Sequence, residues 1–447
     1  MLWRRRKILN GGVMIDRKKS IWSWAMYDWA DSAFATTVMA GFFPLFFKSY
    51  WANPDNPNES TFYLGLANSA ASLIIAAGAP FLGAVADRGA VKKRLLLLFT
   101  FLGCIMTGAL WQVAQGNWAL AVLFYVTASV GFSGGNIFYD SLLPGVASPQ
   151  KIDYASSLGY ALGYIGGGLL FLVNVLMYLK PAMFGIADGP TAIKLSFLSV
   201  AIWWALFSIP IFIFVKEPAA ENAAPFRDAF ALGWRQLAGT LREIRRLRIV
   251  GLFLLAYWLY IDGVDTVIRM AVDYGLSIGF PAGALITALL MVQFIAFPAT
   301  LLYLRISVRL GVKTAVMIAI AGYCLITLFA CFMETQWHFY ALAAGVALFQ
   351  GSIQALSRSL YTRLIPAGMA AEFFGFYNMI GKFAAIIGPA LLGLVTMLTG
   401  NIRYGIGSIL FLFLAGGWLL SRVDIAAGER IAGTYRLEDA TGQRGRI

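Results

Sequence analysis

Four aspartates interrupt stretches of chain that otherwise read as oil. Asp28 and Asp31 lie in IWSWAMYDWADSAFATTVMAGFFPLFF, from Ile21 to Phe47, one helical turn apart and so on one face. The spacing returns later, where Tyr260-Ile261-Asp262-Gly263-Val264-Asp265 echoes Tyr27-Asp28-Trp29-Ala30-Asp31. A charge at the centre of a bilayer costs about 2.5–3.5 kcal/mol on insertion scales, so these carboxylates need a water-filled space or a partner. A carboxylate exposed alternately to the two sides of a membrane can bring a proton with, or against, a solute. The competing reading is static: Asp265 and Arg269, four residues apart on one helix, would neutralise each other; in the functional reading Arg269 instead serves the outer end of the site.

Other polar side chains gather in the same kind of setting. Ser129, Ser133, Asn136 and Asp140 share one helical face, and Gln350, Gln354 and Arg358 share another. Lys382 lies deep in an apolar helix near Tyr377 and Asn378, too far from either surface to snorkel. It is placed to bind a carboxylate on a solute or to pair with Asp28 or Asp262. Single polar residues of this kind serve as interhelical bonds; stripes of them line a wet path. Tyr27, with Trp22, Trp24 and Trp29, is a candidate solute contact, although such aromatics are more often belt or packing residues.

The elements that must hold these residues follow from composition. The chain has 447 residues, 60% of them hydrophobic and only 13% charged. A soluble chain carries about a quarter charged residues, so this is an all-α membrane protein. Apolar runs between breakers give about twelve spans, each about 20 residues or more. They fall near 21–48, 61–86, 95–115, 118–140, 155–178 and 194–215, then 249–274, 282–304, 313–333, 338–361, 372–398 and 402–421.

Loop charges orient them. Arg4 to Lys7, Arg17 to Lys19, Arg88 to Arg94, Lys151, Arg305, Arg309, Lys313, Arg358, Arg363 and the arginines from Arg422 onward share one side, leaving few on the other. Basic loops stay in the cytoplasm, so both termini are expected there, in a bacterial plasma membrane. The expected organisation is a cytoplasmic N-terminus (1–20), a six-helix bundle (21–215), a cytoplasmic linker (216–248), a second six-helix bundle (249–421) and a cytoplasmic tail (422–447). In the linker, Phe226, Phe230, Trp234, Leu237, Leu241 and Ile244 oppose several arginines, as in an amphipathic helix lying on the inner leaflet. That accounts for the net charge of +13 without nucleic acid. The basic start is not followed by an apolar core, so no cleavable signal is expected.

Sliding the chain on itself lays Tyr139, Pro144, Gly159 and Gly166 over Tyr361, Pro366, Gly381 and Gly388. Two pseudo-symmetric six-helix bundles joined by a long linker are the architecture of major facilitator transporters, with the solute site between the halves. The loop Gly83-Ala84-Val85-Ala86-Asp87-Arg88-Gly89 with Lys92 and Lys93 resembles that superfamily's signature between helices two and three. SWAMYDWADSAF (23–34), SSLGYALGYIGGGLL (156–170) and QALSRSLYTRLIPAGMAAEFFGFYNMIGKFAAIIGP (354–389) resemble the vacuole effluxer family of bacterial members and fungal vacuolar amino-acid effluxers. The resemblance implies a secondary transporter, with amino-acid export one activity it admits, and a gating role for Gly83, Asp87 and Arg88. In that role Asp87 would sit at the positive N-terminus of a helix near Ala371 and Glu372. The chain departs from the family pattern in carrying Asp31 where Asn is usual and Asp265 where an amide is usual.

The expected activity is secondary transport of a small polar solute, coupled to protons, by a protein working as a monomer among membrane lipids. An uncoupled facilitator, a carrier of lipid-like substrates and a non-transporting sensor remain alternatives. An enzyme is not expected, nor a cofactor or metal: Cys104, Cys324 and Cys331 sit in apolar runs and His338 is the one histidine. Gly159, Gly163 and Gly167 form a small-residue ridge for helix packing rather than a nucleotide loop. The run Gly375 to Lys382 has the wrong spacing for a phosphate loop.

Overall fold

The computed structural model describes residues 15–52, 57–217, 247–277 and 281–441, and they are helical almost throughout. The segment expected to form the amphipathic linker helix, 218–246, lies outside the described residues, as do the side chains of Arg88, Arg269 and Lys382. The first half of the chain forms α1 (Lys18–Trp51), α2 (Pro57–Gly89), α3 (Lys92–Ala109), α4 (Trp118–Val146), α5 (Ile152–Leu179) and α6 (Gly189–Phe214). The second half forms α7 (Arg248–Ser277), α8 (Ala282–Leu310), α9 (Val312–Ala330), α10 (Gln336–Leu364), α11 (Ala370–Thr399) and α12 (Ile402–Ser421). Among the described residues, eleven helices are long and apolar enough to cross a membrane. The remaining one, α11, is 30 residues long and ends in the apolar stretch Ile387–Thr399. The C-terminal tail, read from sequence only as a basic segment, forms a further helix, α13 (Ile425–Thr441).

Local chemistry explains the irregular helices. In α1, Pro44 has no N–H to give and its ring crowds the carbonyl a turn earlier. The helix widens to π turns on both sides of it, over Phe34–Phe42 and Phe47–Trp51. Asp188 caps α6 by accepting from the Thr191 N–H at 2.7 Å, and the hydrogen bonds from Thr191 hold its carboxyl below the usual range.

The two halves repeat one device at the end of the bundle that bears most of the basic residues. Lys93 reaches from the start of α3 and donates to the carbonyls of Phe212 and Val215 at the end of α6, at 2.8 and 2.6 Å. Lys313, at the start of α9, does the same to Ser421 and Val423 after α12, at 2.7 and 2.8 Å. A helix leaves its last carbonyls unsatisfied and carries partial negative charge there, so an ammonium is a fitting cap. Glu217 completes the first of these by accepting from the N–H groups of Lys92 and Lys93 at 2.7 and 3.1 Å.

Packing follows the same division. One apolar core runs from Leu247 to Val423, within the second half, and two lie in the first half; of these, one takes in Ala371 from α11. A small cluster of Tyr164, Ala296 and Ala347 spans the halves. Large apolar side chains such as Leu73, Phe101, Leu325 and Phe411 remain exposed, as they must on a surface solvated by lipid.

Candidate functional site

Where the halves meet lies a cavity of about 430 Å³, within the range of small-molecule sites. Helices α1, α4 and α5 form its first-half wall, and α7, α8, α10 and α11 its second. Of the sequence-predicted residues, Asp28, Asp31, Asn136, Gln350, Gln354, Arg358 and Asn378 all line it. They come together because the polar faces of α1, α4 and α10 have nowhere else to go in an apolar medium.

Arg358 organises the chamber. Its side chain is almost fully buried, and it belongs to α10 while its partners belong to the first half. It donates to Asp140 on α4 at 3.0 Å and to Asp28 on α1 at 3.3 Å. It also donates to the Ser156 hydroxyl at 2.9 Å and the Ser156 carbonyl at 3.0 Å, both on α5. Tyr139 donates to the same Asp28 oxygen at 2.7 Å. The guanidinium lies over the rings of Tyr160 and Trp24, 4.3 and 4.8 Å from their centroids. A planar cation with five donors suits so many acceptors at once; an ammonium does not. Gly159 and Gly163 make the arrangement possible: a Cβ at Gly159 would collide with the Asp28 carboxylate, and one at Gly163 would lie 2.6 Å from the Ser32 hydroxyl.

Asp31 is placed differently. It is 2% exposed, lines the chamber one turn beyond Asp28, and has no ion-pair or side-chain hydrogen-bond partner among the described residues. The described charges lining the chamber are Asp28, Asp31 and Asp140 against Arg358, so the carboxylates outnumber the guanidinium.

The second aspartate pair is not part of this chamber. Asp262 and Asp265 are absent from its lining. Asp262 is fully buried within the second half, where both carboxylate oxygens accept from the Gly388 N–H, at 2.9 and 3.1 Å. Thr266 donates to it at 3.4 Å. Gly388 allows this approach: a Cβ there would lie 2.7 Å from the Asp262 carboxylate, so the missing side chain lets the acid reach the backbone. Asp262→Ala is therefore expected to lower stability by about 1–3 kcal/mol, read as a fall in melting temperature, because a buried N–H loses its acceptor. Asp262→Asn keeps an acceptor oxygen and is expected to retain both stability and transport.

Tyr27 is also away from the chamber. It is fully buried, with its hydroxyl 2.9 Å from that of Thr100. Sequence reasoning left Asp140 as one member of a stripe and passed over Ser156, Tyr139 and Tyr160; the signal available for Asp140 was its place one turn from Asn136.

Towards the basic end, further contacts join the halves. Asp87, at the end of α2, accepts from the N–H groups of Ala371 and Glu372 at 3.2 and 2.8 Å and pairs with Lys92 at 2.7 Å. These N–H groups open α11, so the carboxylate caps a helix of the other half. Gly83 packs against the same turn, and Arg88 belongs to the last turn of α2. Arg363 on α10 pairs with Asp153 on α5 at 2.7 Å and with Glu429 on α13 at 3.4 Å. Ser156 donates to the Ala355 carbonyl at 2.7 Å.

The comparisons with known proteins agree with this architecture. The model of the family described as vacuole effluxer Atg22 like matches residues 56–155 and 149–433. An uncharacterized MFS-type transporter of Bacillus subtilis, YxiO, is 38% identical, over 90% of this chain and 94% of its own. Autophagy-related protein 22 of Yarrowia lipolytica is 23% identical over 78% and 73% of the two chains. Among solved structures, the human organic anion transporter MFSD10 superposes with a TM-score of 0.68 at 16% identity, over 91% of this chain and all of that one. FucP in its outward conformation gives 0.68 at 14% identity, over 91% and 98%. The long apolar helices, the chamber between two repeated halves and these matches lead to one assignment: the chain belongs to the vacuole effluxer Atg22-like family and is a multi-pass membrane transporter of the major facilitator fold, not an enzyme.

Proposed function

We propose that the chain is a secondary transporter that moves a small polar solute by alternating access and couples that movement to protons. The observation that carries this reading is Asp31: a buried carboxylate facing the chamber with no ion-pair or side-chain hydrogen-bond partner among the described residues. Left charged, it is costly; a proton or a cationic group on the solute relieves that cost, and either can be exchanged as the chamber changes sides. Asp28, Asp140 and Arg358 supply the contact that the halves make and break.

The cross-half bonds gather between the chamber and the basic end, which supports a state closed on that side. With the basic end in the cytoplasm, as loop charge favours, this is the outward-facing state, and both termini are cytoplasmic. Asp87, Gly83 and Arg363 then serve as the inner gate. Export fits the effluxer description of the family, and amino acids lie within the solute class.

The test uses purified protein in liposomes holding a trapped pH-sensitive dye. Under an imposed pH gradient, at least one member of a panel of small polar solutes is expected to evoke proton movement, at a rate that grows with the gradient. Solute flux that ignores the gradient would remove the coupling; no flux of any panel member would favour a sensor.

A further inference from the structure

We infer that the solute held in the chamber is an amphipathic organic cation, a protonated amine on an apolar body, bound by Asp31; this rests on the reading of the chamber as the solute site. The chamber is two-sided. Its acid side comes from the first half, where Asp28 and Asp140 are already joined to Arg358 while Asp31 is not. The second half adds an apolar stretch, Leu289 and Val292 on α8 and Val346 on α10, alongside the amides of Gln350 and Gln354. Tyr164 on α5 and Tyr257 on α7 also face the space between. A chamber lined by both carboxylates and tyrosine rings suits an ammonium, because ring faces and an anion attract the same charge.

A solute carboxylate finds no comparable welcome among the described residues. Arg358 is the described guanidinium in the lining, and its donors go to Asp28, Asp140 and both oxygens of Ser156. Its faces are covered by Trp24 and Tyr160. An anion entering the chamber would have to break those bonds while meeting three carboxylates. A net cation instead moves the described charge toward neutrality, and its apolar body can pack against Leu289, Val292 and Val346.

The probes are charge-matched sets on one skeleton: phenethylammonium against 2-phenylethanol, 3-phenylpropionate and phenylalanine, and hexylammonium against hexanol and heptanoate. Affinities are measured by calorimetry on the purified full-length protein, so no gradient or transport is needed. Each amine is expected to bind at least about tenfold more tightly than its neutral and anionic partners, and phenethylammonium more tightly than phenylalanine. Asp31→Asn is expected to lower amine affinity about tenfold or more and to leave that for the alcohols unchanged. Melting temperatures without ligand check that the variant is folded, and the wild-type comparison stands without it. Equal binding of the alcohols, a preference for the carboxylates, equal binding of phenylalanine, or no measurable binding of either amine would each overturn the inference. So would unchanged amine affinity in Asp31→Asn. Proton movement evoked only by anions would keep the transporter reading and remove this one; amine binding without any flux would do the reverse.

Discussion

Arg358→Gln is expected to stop transport and to open the end of the protein that the structure holds shut. Removing the guanidinium strands Asp28 and Asp140 in a buried space and leaves both oxygens of Ser156 without their donors. Breaking a buried ion pair by deleting one partner costs about 3–5 kcal/mol. Because the partners lie on α1, α4 and α5 while Arg358 lies on α10, that cost falls on the contact between halves rather than on either core. A bias of this size converts a predominantly closed population into a predominantly open one, since about 1.4 kcal/mol is a factor of ten. Spin labels at Lys151 and Arg309, exposed on the first and second halves, report it once the native cysteines are replaced: the distance distribution in Arg358→Gln should shift to longer values. Arg358→Lys should shift it too, as an ammonium cannot serve acceptors on three helices in one plane. An unchanged distribution in both variants would mean that the cluster does not hold the halves together.

The second large effect is expected at Gly83. There, the backbone of α2 lies directly on the first turn of α11: a Cβ would fall inside contact distance of the Ala371 carbonyl and 2.7 Å from the Glu372 Cα. Both obstacles are backbone, which cannot rotate aside. Gly83→Val must therefore push α2 and α11 apart. The hydrogen bonds from Ala371 and Glu372 to Asp87 stretch with them, and the N-terminus of α11 loses its carboxylate cap. Because the clash is confined to the closed contact, the variant should fold and insert but favour the open basic end. The expected readout is a lengthened Lys151–Arg309 label distance with transport reduced by at least about tenfold. Normal transport with an unshifted distance would show that this contact is not part of the cycle.

The helices were easy to read because each must satisfy its own backbone in lipid, and long apolar runs have few other solutions. The repeat was legible in Tyr139 and Tyr361, and its physical counterpart, the paired caps by Lys93 and Lys313, needed coordinates. The site was less legible, for two reasons that particular residues show. Asp28 and Asp262 look alike in sequence, yet Asp28 meets an arginine from the other half while Asp262 meets a backbone N–H beside Pro389 within its own half. Spacing along one helix says which face a carboxylate shares, not what that face meets. Asp140 stood in a visible stripe, but its ion pair with Arg358 depends on how α4 and α10 face each other across the halves, which no local pattern encodes.

The proposal of proton-coupled transport rests finally on Asp31, and one comparison tests it most directly. Wild-type protein and Asp31→Asn are reconstituted side by side, and a transported solute from the panel is followed in two modes: exchange with no gradient, and net movement driven by a pH gradient. Exchange needs only the alternation of a loaded chamber, whereas net driven movement needs a group that takes up and releases a proton during the cycle. Asp31→Asn is expected to keep measurable exchange and to lose the response to the gradient. Gradient-driven movement in Asp31→Asn equal to that of the wild type would contradict the assignment of coupling to this carboxylate.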